Sequence, residues 1–214
     1  MTVYDSTFFT AIRPGVQRSA KVVVSHLVDW WYRVDDSMSV LDVGCGEGHW
    51  AEEFADRTGC RVLGVDSGQG AGSVLGPNEY CELDLAATLA AGEPLPGGFD
   101  LAVCLEVAEH LPPELSDVLV RELCRAAPVV LFSAAVPGQP GLEHVNCQWQ
   151  TVWAERFEEA GFYVSQGIAW DLWEDSRVEW WYCQDMFLAW QPGVLPHDRT
   201  KVHAVIHPEH WQVR

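Results

Sequence analysis

The chain has 214 residues, 48% of them apolar and eleven of them tryptophan, which suits one domain with a well-buried core and excludes a disordered chain. Its formal net charge of −18, with thirteen Lys and Arg residues scattered along the sequence, repels phosphate backbones and argues against nucleic acid as a partner. No apolar run approaches the ~18 residues needed to span a bilayer, so no membrane partner is expected.

The N-terminal stretch MTVYDSTFFT carries an acid and no basic region of the kind that opens a targeting segment. The seven cysteines are odd in number, evenly spread and without a CxxC pair, which fits free thiols in a cytoplasmic protein. Apolar runs then alternate with helical patterns, as in a parallel α/β sheet. Arg18 to Tyr32 has helix length and an apolar face. Val40–Val43 is a short buried strand, and Glu47–Arg57 opens the next helix. Arg61–Val65 is a strand ending in Asp66, and Tyr80–Leu83 is another ending in Asp84. Phe99 to about Leu105 is a strand, and Pro112 and Pro113 introduce a helix from about Glu114 to Arg125. Val129–Ser133 is a near-continuous buried strand. A Pro/Gly-rich loop leads to a helix from about Trp149 to Ala160, stopped by Gly161. Phe162–Ile168 and Cys183–Trp190 read as a closing antiparallel pair. The organisation expected is a single domain: an N-terminal helical lid over 1–35, a core over 36–190 and a tail over 191–214.

In a parallel sheet, ligands sit beyond the carboxyl ends of the strands, where the first strand and its loop build the floor. Gly44, Gly46 and Gly48 fall there, in VLDVGCGEGHW. The spacing is G-x-G-x-G, with His49 where a dinucleotide fingerprint has its third glycine, and no GKS or GKT is present. What remains is a smaller ligand whose tail lies against bare backbone, with a ribose read by one acid at the end of the next strand. Asp66 stands in that place.

VLDVGCGEG, GVDSG and FDLAVCLEVAEHL, in that order, closely resemble the first, second and fourth motifs of class I S-adenosylmethionine-dependent methyltransferases. The resemblance covers about Ser39 to Phe162. It implies a Rossmann-like, seven-stranded, mostly parallel sheet with helices on both faces and an antiparallel closing strand, and S-adenosyl-L-methionine as cofactor. By the same resemblance Asp42, Gly44 and Gly46 hold the methionine end, Asp66 with Ser67 the ribose, and Asp84 with Leu85 the adenine. Glu106 sits beyond the fourth strand beside the cofactor. Gln17 and Ser19, on the lid helix, are the expected contacts to the methionine carboxylate.

Methyl transfer is an in-line displacement that mainly needs alignment and exclusion of water, with a base where the acceptor carries a proton. His110 in VAEHL and His144 in PGLEHVN are the candidate bases, with His144 preferred because its loop has the glycines and prolines of a substrate lid. Asn146 beside it, Trp173 and Trp181 are the expected acceptor contacts. No acid cluster at ligand spacing follows the fourth strand, and Pro208 interrupts any helix aligning His203, His207 and His210, so no metal is expected. The activity expected is O-methylation of a small molecule, in tailoring of a natural product or sugar, by a monomer or homodimer. The alternatives are a protein or RNA methyltransferase and a noncatalytic scaffold that binds the cofactor.

Overall fold

The computed structural model describes residues 6–30, 37–68, 72–195 and 200–212. The expected boundary at residue 35, the end of the helix at Tyr32 and the tail's last two residues lie outside them. The first helix, α1 (Ser6–Trp30), starts a dozen residues before the apolar stripe suggests and carries Pro14 within it. The remaining elements run β1 (Ser39–Val43), α2 (His49–Thr58), β2 (Arg61–Asp66), β3 (Tyr80–Glu82), α3 (Leu85–Ala90), β4 (Leu101–Leu105), α4 (Ser116–Ala126), β5 (Val129–Ser133), α5 (Gln150–Glu159), β6 (Tyr163–Ser165), α6 (Gly167–Asp171), α7 (Trp180–Asp185) and β7 (Phe187–Trp190).

The strands form one seven-stranded sheet in the order β3-β2-β1-β4-β5-β7-β6. All neighbours are parallel except β7, which runs antiparallel to both β5 and β6. β1, β4, β5 and β7 are buried along their whole length, as strands covered on both faces must be. One core cluster packs Val23, Val24 and Leu27 of α1 and Phe54 of α2 on one face, and the other packs α4 and α5 through Leu119, Leu123 and Phe157 on the opposite face.

The closing pair is shorter than the sequence suggests. Gly167–Asp171 and Trp180–Asp185, expected partly as strand and loop, are short helices that fill the gap between β6 and β7. The β1/β4 neighbourhood, where the chain reverses its direction across the sheet, is the topological switch point. Its crevice opens at the strands' carboxyl ends.

Candidate active site

That crevice is a cavity of about 940 Å³, walled by the first turns of α1, the loop after β1, the ends of β2 and β4, residues 139–144 and the start of α7. Gly44 (φ 73) and Gly46 (φ 54) hold left-handed backbone there. Their missing side chains matter as much as their φ, because a Cβ at Gly44 would strike Val107 and one at Gly46 would strike Phe9 of α1. The Gly46 N–H donates to Asp66 Oδ2 at 3.0 Å and the Gly68 N–H to Oδ1 at 3.3 Å, so the strand-end acid and the glycine loop form one unit. Ser67 stands beside it on the cavity wall. Asp84 caps α3 by accepting the Ala87 N–H at 2.9 Å, and both Asp84 and Leu85 face the cavity. Asp42 lies beneath the loop, 3% exposed, with Oδ2 unpartnered. Burial, opposed by the Ala51 N–H, pushes its carboxyl up to about 7.

Helix α1 contributes different residues from those expected. Gln17 is exposed, Ser19 is fully buried with its Oγ accepting the Glu179 N–H at 2.9 Å, and neither reaches the cavity. One turn before Gln17, Arg13 does reach it, donating from Nε and Nη2 to both oxygens of Glu47 at 2.8 and 2.6 Å. The contacts to the cavity come from Phe8, Phe9, Ile12, Arg13 and Val16, in turns of a helix that starts well before its apolar pattern does.

The far side of the cavity begins at the end of β4. Glu106 holds a left-handed backbone (φ 56), which costs a non-glycine residue about 1–2 kcal/mol and persists only where the surroundings fix it. Its N–H donates to Ser133 O and Oγ at 3.1 Å, while its side chain accepts Ser133 Oγ at 2.8 Å and Gln139 Nε2 at 2.9 Å. Burial nonetheless raises its carboxyl to about 7. The short 3-10 turn that follows, Ala108–His110, aims Glu109 and His110 at the cavity. Glu109 is 0% exposed, and neither carboxylate oxygen makes a hydrogen bond of normal geometry; burial, then the Glu106 charge, raises its carboxyl well above the usual range.

His144 arrives from the loop after β5. Its ring meets His110 edge-on with centroids 5.0 Å apart. Burial, and for His110 the neighbouring His144, lowers both imidazoles, His110 to about 4, so both are neutral near pH 7. Among the described residues, Glu109, His110 and His144 bring one ligand atom each to within 4.8 Å of one another, a donor set suited to a divalent cation that the sequence spacing did not reveal. Trp181 lines the cavity together with Trp180 and Tyr182. Asn146 and Trp173 do not. The Asn146 Nδ2 donates to Ala108 O at 3.1 Å and Ser116 Oγ at 3.0 Å, bracing the 108–110 turn from behind. Trp173 stacks on Trp170 at 4.8 Å and packs against His207 of the tail. Glu109, Arg13 and Gln139 are among the wall residues that the sequence did not single out; for Glu109, an acid three positions after Glu106 was the available signal.

A family model described as a methyltransferase domain matches residues 17–174. The ubiquinone biosynthesis O-methyltransferase of Leptothrix cholodnii is 36% identical over 90 residues, 39% of this chain and 37% of that protein. The match therefore spans little more than a third of that curated relative. Among solved structures, magnesium protoporphyrin IX methyltransferase from Synechocystis PCC 6803, with bound S-adenosylhomocysteine, is similar with a TM-score of 0.55 at 18% identity, covering 89% of this chain and 90% of that one. DesVI of Streptomyces venezuelae is similar with a TM-score of 0.57 at 12% identity, covering 89% and 100%. At those identities the structures speak for the fold alone. The family match spans most of the chain and falls on the elements that build the glycine loop, Asp66, Asp84 and the 106–110 turn: the chain belongs to the class I S-adenosylmethionine-dependent methyltransferases.

Proposed function

We propose that the protein transfers a methyl group from S-adenosylmethionine to a hydroxyl of a small-molecule acceptor. The observation that carries this reading is the facing of two half-sites across one cavity. The bare glycine loop with Asp66 and Asp84 lies on one side, and two neutral imidazoles lie on the other. In that arrangement Gly44, Gly46 and Arg13 receive the methionine end, Asp66 and Ser67 the ribose, and Asp84 and Leu85 the adenine. Glu106 lies between cofactor and acceptor. Phe9, Trp180, Trp181 and Tyr182 exclude water and offer flat apolar walls to a ring-shaped acceptor.

The chemistry asks little beyond alignment. An acceptor oxygen lone pair forms the new O–C bond as the S–C bond breaks, sulfur keeps that electron pair, and the hydroxyl proton passes to a base. His144 is that base in this reading. It is neutral and it lines the cavity. The oxygen specificity draws support from the O-methyltransferase relatives, whose acceptors belong to those proteins.

The orphaned oxygens of Glu109 favour one second reading, in which Glu109, His110 and His144 hold a divalent cation that lowers the acceptor hydroxyl's pKa. Both readings are tested by incubating the protein with methyl-labelled S-adenosylmethionine and panels of phenols, catechols, sugars, amines, peptides and RNA. Label on a small hydroxyl compound is the expected result, and label confined to amines, protein or RNA sinks the assignment. Turnover that survives a chelator supports His144 as base. Turnover lost to the chelator and restored by magnesium, manganese or zinc supports the cation.

A further inference from the structure

The histidine-containing tail plays no part in the reaction as derived so far, yet its backbone is tied into the protein interior. Thr200 N–H donates to Ser165 Oγ at 3.2 Å, His203 N–H to Gln166 Oε1 at 2.9 Å, and Val205 O accepts Gln150 Nε2 at 2.9 Å. The decisive contact is at His207. Its N–H donates to Gln184 Oε1 at 2.8 Å, and its ring is held by Trp173 O at 2.9 Å.

A side-chain amide can present oxygen or nitrogen to a neighbour, and the network decides which. A backbone N–H has no such choice. Because the His207 N–H requires an acceptor, Gln184 must turn its oxygen to the tail and its nitrogen inward. Gln184 Nε2 then donates to Gln139 Oε1 at 3.0 Å and to Asp185 Oδ1 at 3.1 Å. The Gln139 oxygen, held also by the Val136 N–H at 3.3 Å, leaves its own nitrogen to donate to Glu106 Oε2 at 2.9 Å. Three hydrogen bonds of one polarity thus run from the tail backbone to a carboxylate on the cavity wall, through two glutamines that are almost wholly buried.

We propose that segment 200–212 is a working part of the active site, and that Gln184 and Gln139 are positioning residues through which it holds the Glu106 carboxylate toward the cofactor. Glu106 needs such a hold. Its backbone is left-handed, and among the described residues the only side-chain donors to its carboxyl are Ser133 Oγ and Gln139 Nε2. The Gln139 amide donates to Glu106 Oε2, and Gln184 fixes which end of that amide faces the carboxyl.

Gln150 provides a matched control. It is as buried as Gln184, bonds the same tail and the same Asp185, and donates to the backbone oxygen of Gln184 at 3.0 Å, but it touches neither the Gln184 side chain, Gln139 nor the cavity. In calorimetric titration of the full chain with S-adenosylhomocysteine, Gln184→Met weakens binding about fivefold, the loss of a few tenths to one hydrogen bond's worth of positioning, while Gln150→Met stays within about twofold at a comparable loss of Tm. In a Gln139→Met background, adding Gln184→Met weakens binding by no more than about twofold, since the relay is already cut. Equal effects of the Gln184 and Gln150 changes, or fully additive losses in the double variant, overturn the proposal. If Gln184→Met does not fold, Gln139→Met cuts the relay one bond nearer Glu106 and is read against Gln150→Met in the same way. The proposal rests on the cofactor reading through its probe: a wild-type chain that takes up no S-adenosylhomocysteine overturns both, whereas wild-type binding with an unaffected Gln184 variant overturns the relay alone.

Discussion

The two sides of the cavity are built by different means. On the cofactor side, each acid has a backbone donor within a few residues of the strand that carries it. Asp66 accepts the Gly46 and Gly68 N–H groups, and Asp84 accepts the Ala87 N–H. On the acceptor side, Glu109 makes no hydrogen bond of normal geometry, Glu106 depends on Ser133 at the end of the next strand and Gln139 beyond it, and His144 comes from a loop thirty-five positions after Glu109. The first side is a recognition surface assembled from turns. The second is a strained surface of buried titratable groups held by distant packing, which is the usual condition of groups that do chemistry.

The sharpest way to break this contrast is at His144. His144→Ala is expected to lower turnover by roughly 10²–10⁴-fold and to leave cofactor affinity unchanged, because a base acts in the transition state and touches only the acceptor. Single-turnover rates with an accepted hydroxyl compound, alongside calorimetry with S-adenosylhomocysteine, separate the two quantities. Full activity in this variant, with activity abolished in His110→Ala, reverses the roles of the two imidazoles.

The cofactor side should respond in the opposite sense. Asp66→Ala strands the Gly46 N–H and the ribose hydroxyls together and is expected to weaken S-adenosylhomocysteine binding by about 1.5–3 kcal/mol. The fold should persist, because the residue closes a strand rather than filling a core. Unchanged affinity in the calorimeter refutes the ribose assignment.

The same contrast explains what the sequence made legible. Asp42, Gly44, Gly46, Asp66, Asp84 and Glu106 all sit at or just beyond strand ends, and a strand end is a local feature that an apolar run and a glycine announce. The sheet followed from the same runs, while the helices between β6 and β7 did not, since a six-residue apolar stretch has no period that tells a strand from a short buried helix. Asn146 and Trp173 were polar and aromatic residues in plausible loops. Which way they point is decided by Ala108 and Ser116 in one case and by the tail in the other, contacts between segments far apart in the chain. For Glu109 the spacing from Glu106 was a local signal, but its full burial was not, because that depends on segments far apart in the chain.

Buried acids on both sides make stability depend on pH in a direction that can be worked out. Asp42 and Glu106 are held protonated up to about 7 when folded, whereas in the unfolded chain they ionise near 4. Between those values the folded chain binds more protons than the unfolded one, so stability rises as pH falls from 8 toward 6.5, by up to about 1 kcal/mol per pH unit for each group. His110 and His144 oppose this trend toward the lower end of the window, because their unfolded imidazoles take up a proton near 6.5 while burial keeps the folded ones neutral. Asp42→Asn should flatten the slope of Tm against pH over this window. A Tm that falls from pH 8 to 6.5 in the wild-type chain contradicts the burial of these carboxyls as uncompensated acids.

The smallest expected effect lies on α1, where a null result carries the information. Gln17 and Arg13 are one helical turn apart, but Gln17 faces solvent and Arg13 faces the cavity, where it is oriented by both oxygens of Glu47. Gln17→Ala should therefore leave S-adenosylhomocysteine affinity within about twofold of wild type, the scatter of a surface change. Arg13→Met, which keeps the stem and removes the charge, should weaken it severalfold, and more at low salt than at high salt because the guanidinium is partly exposed. Glu47→Gln sharpens the comparison: it frees the guanidinium from its carboxylate partner, so that affinity should hold or improve if Arg13 receives the methionine carboxylate. A loss of affinity in Gln17→Ala as large as that in Arg13→Met would mean that α1 turns on its axis when the cofactor enters, and that the lid, unlike the glycine loop it covers, is not set before binding.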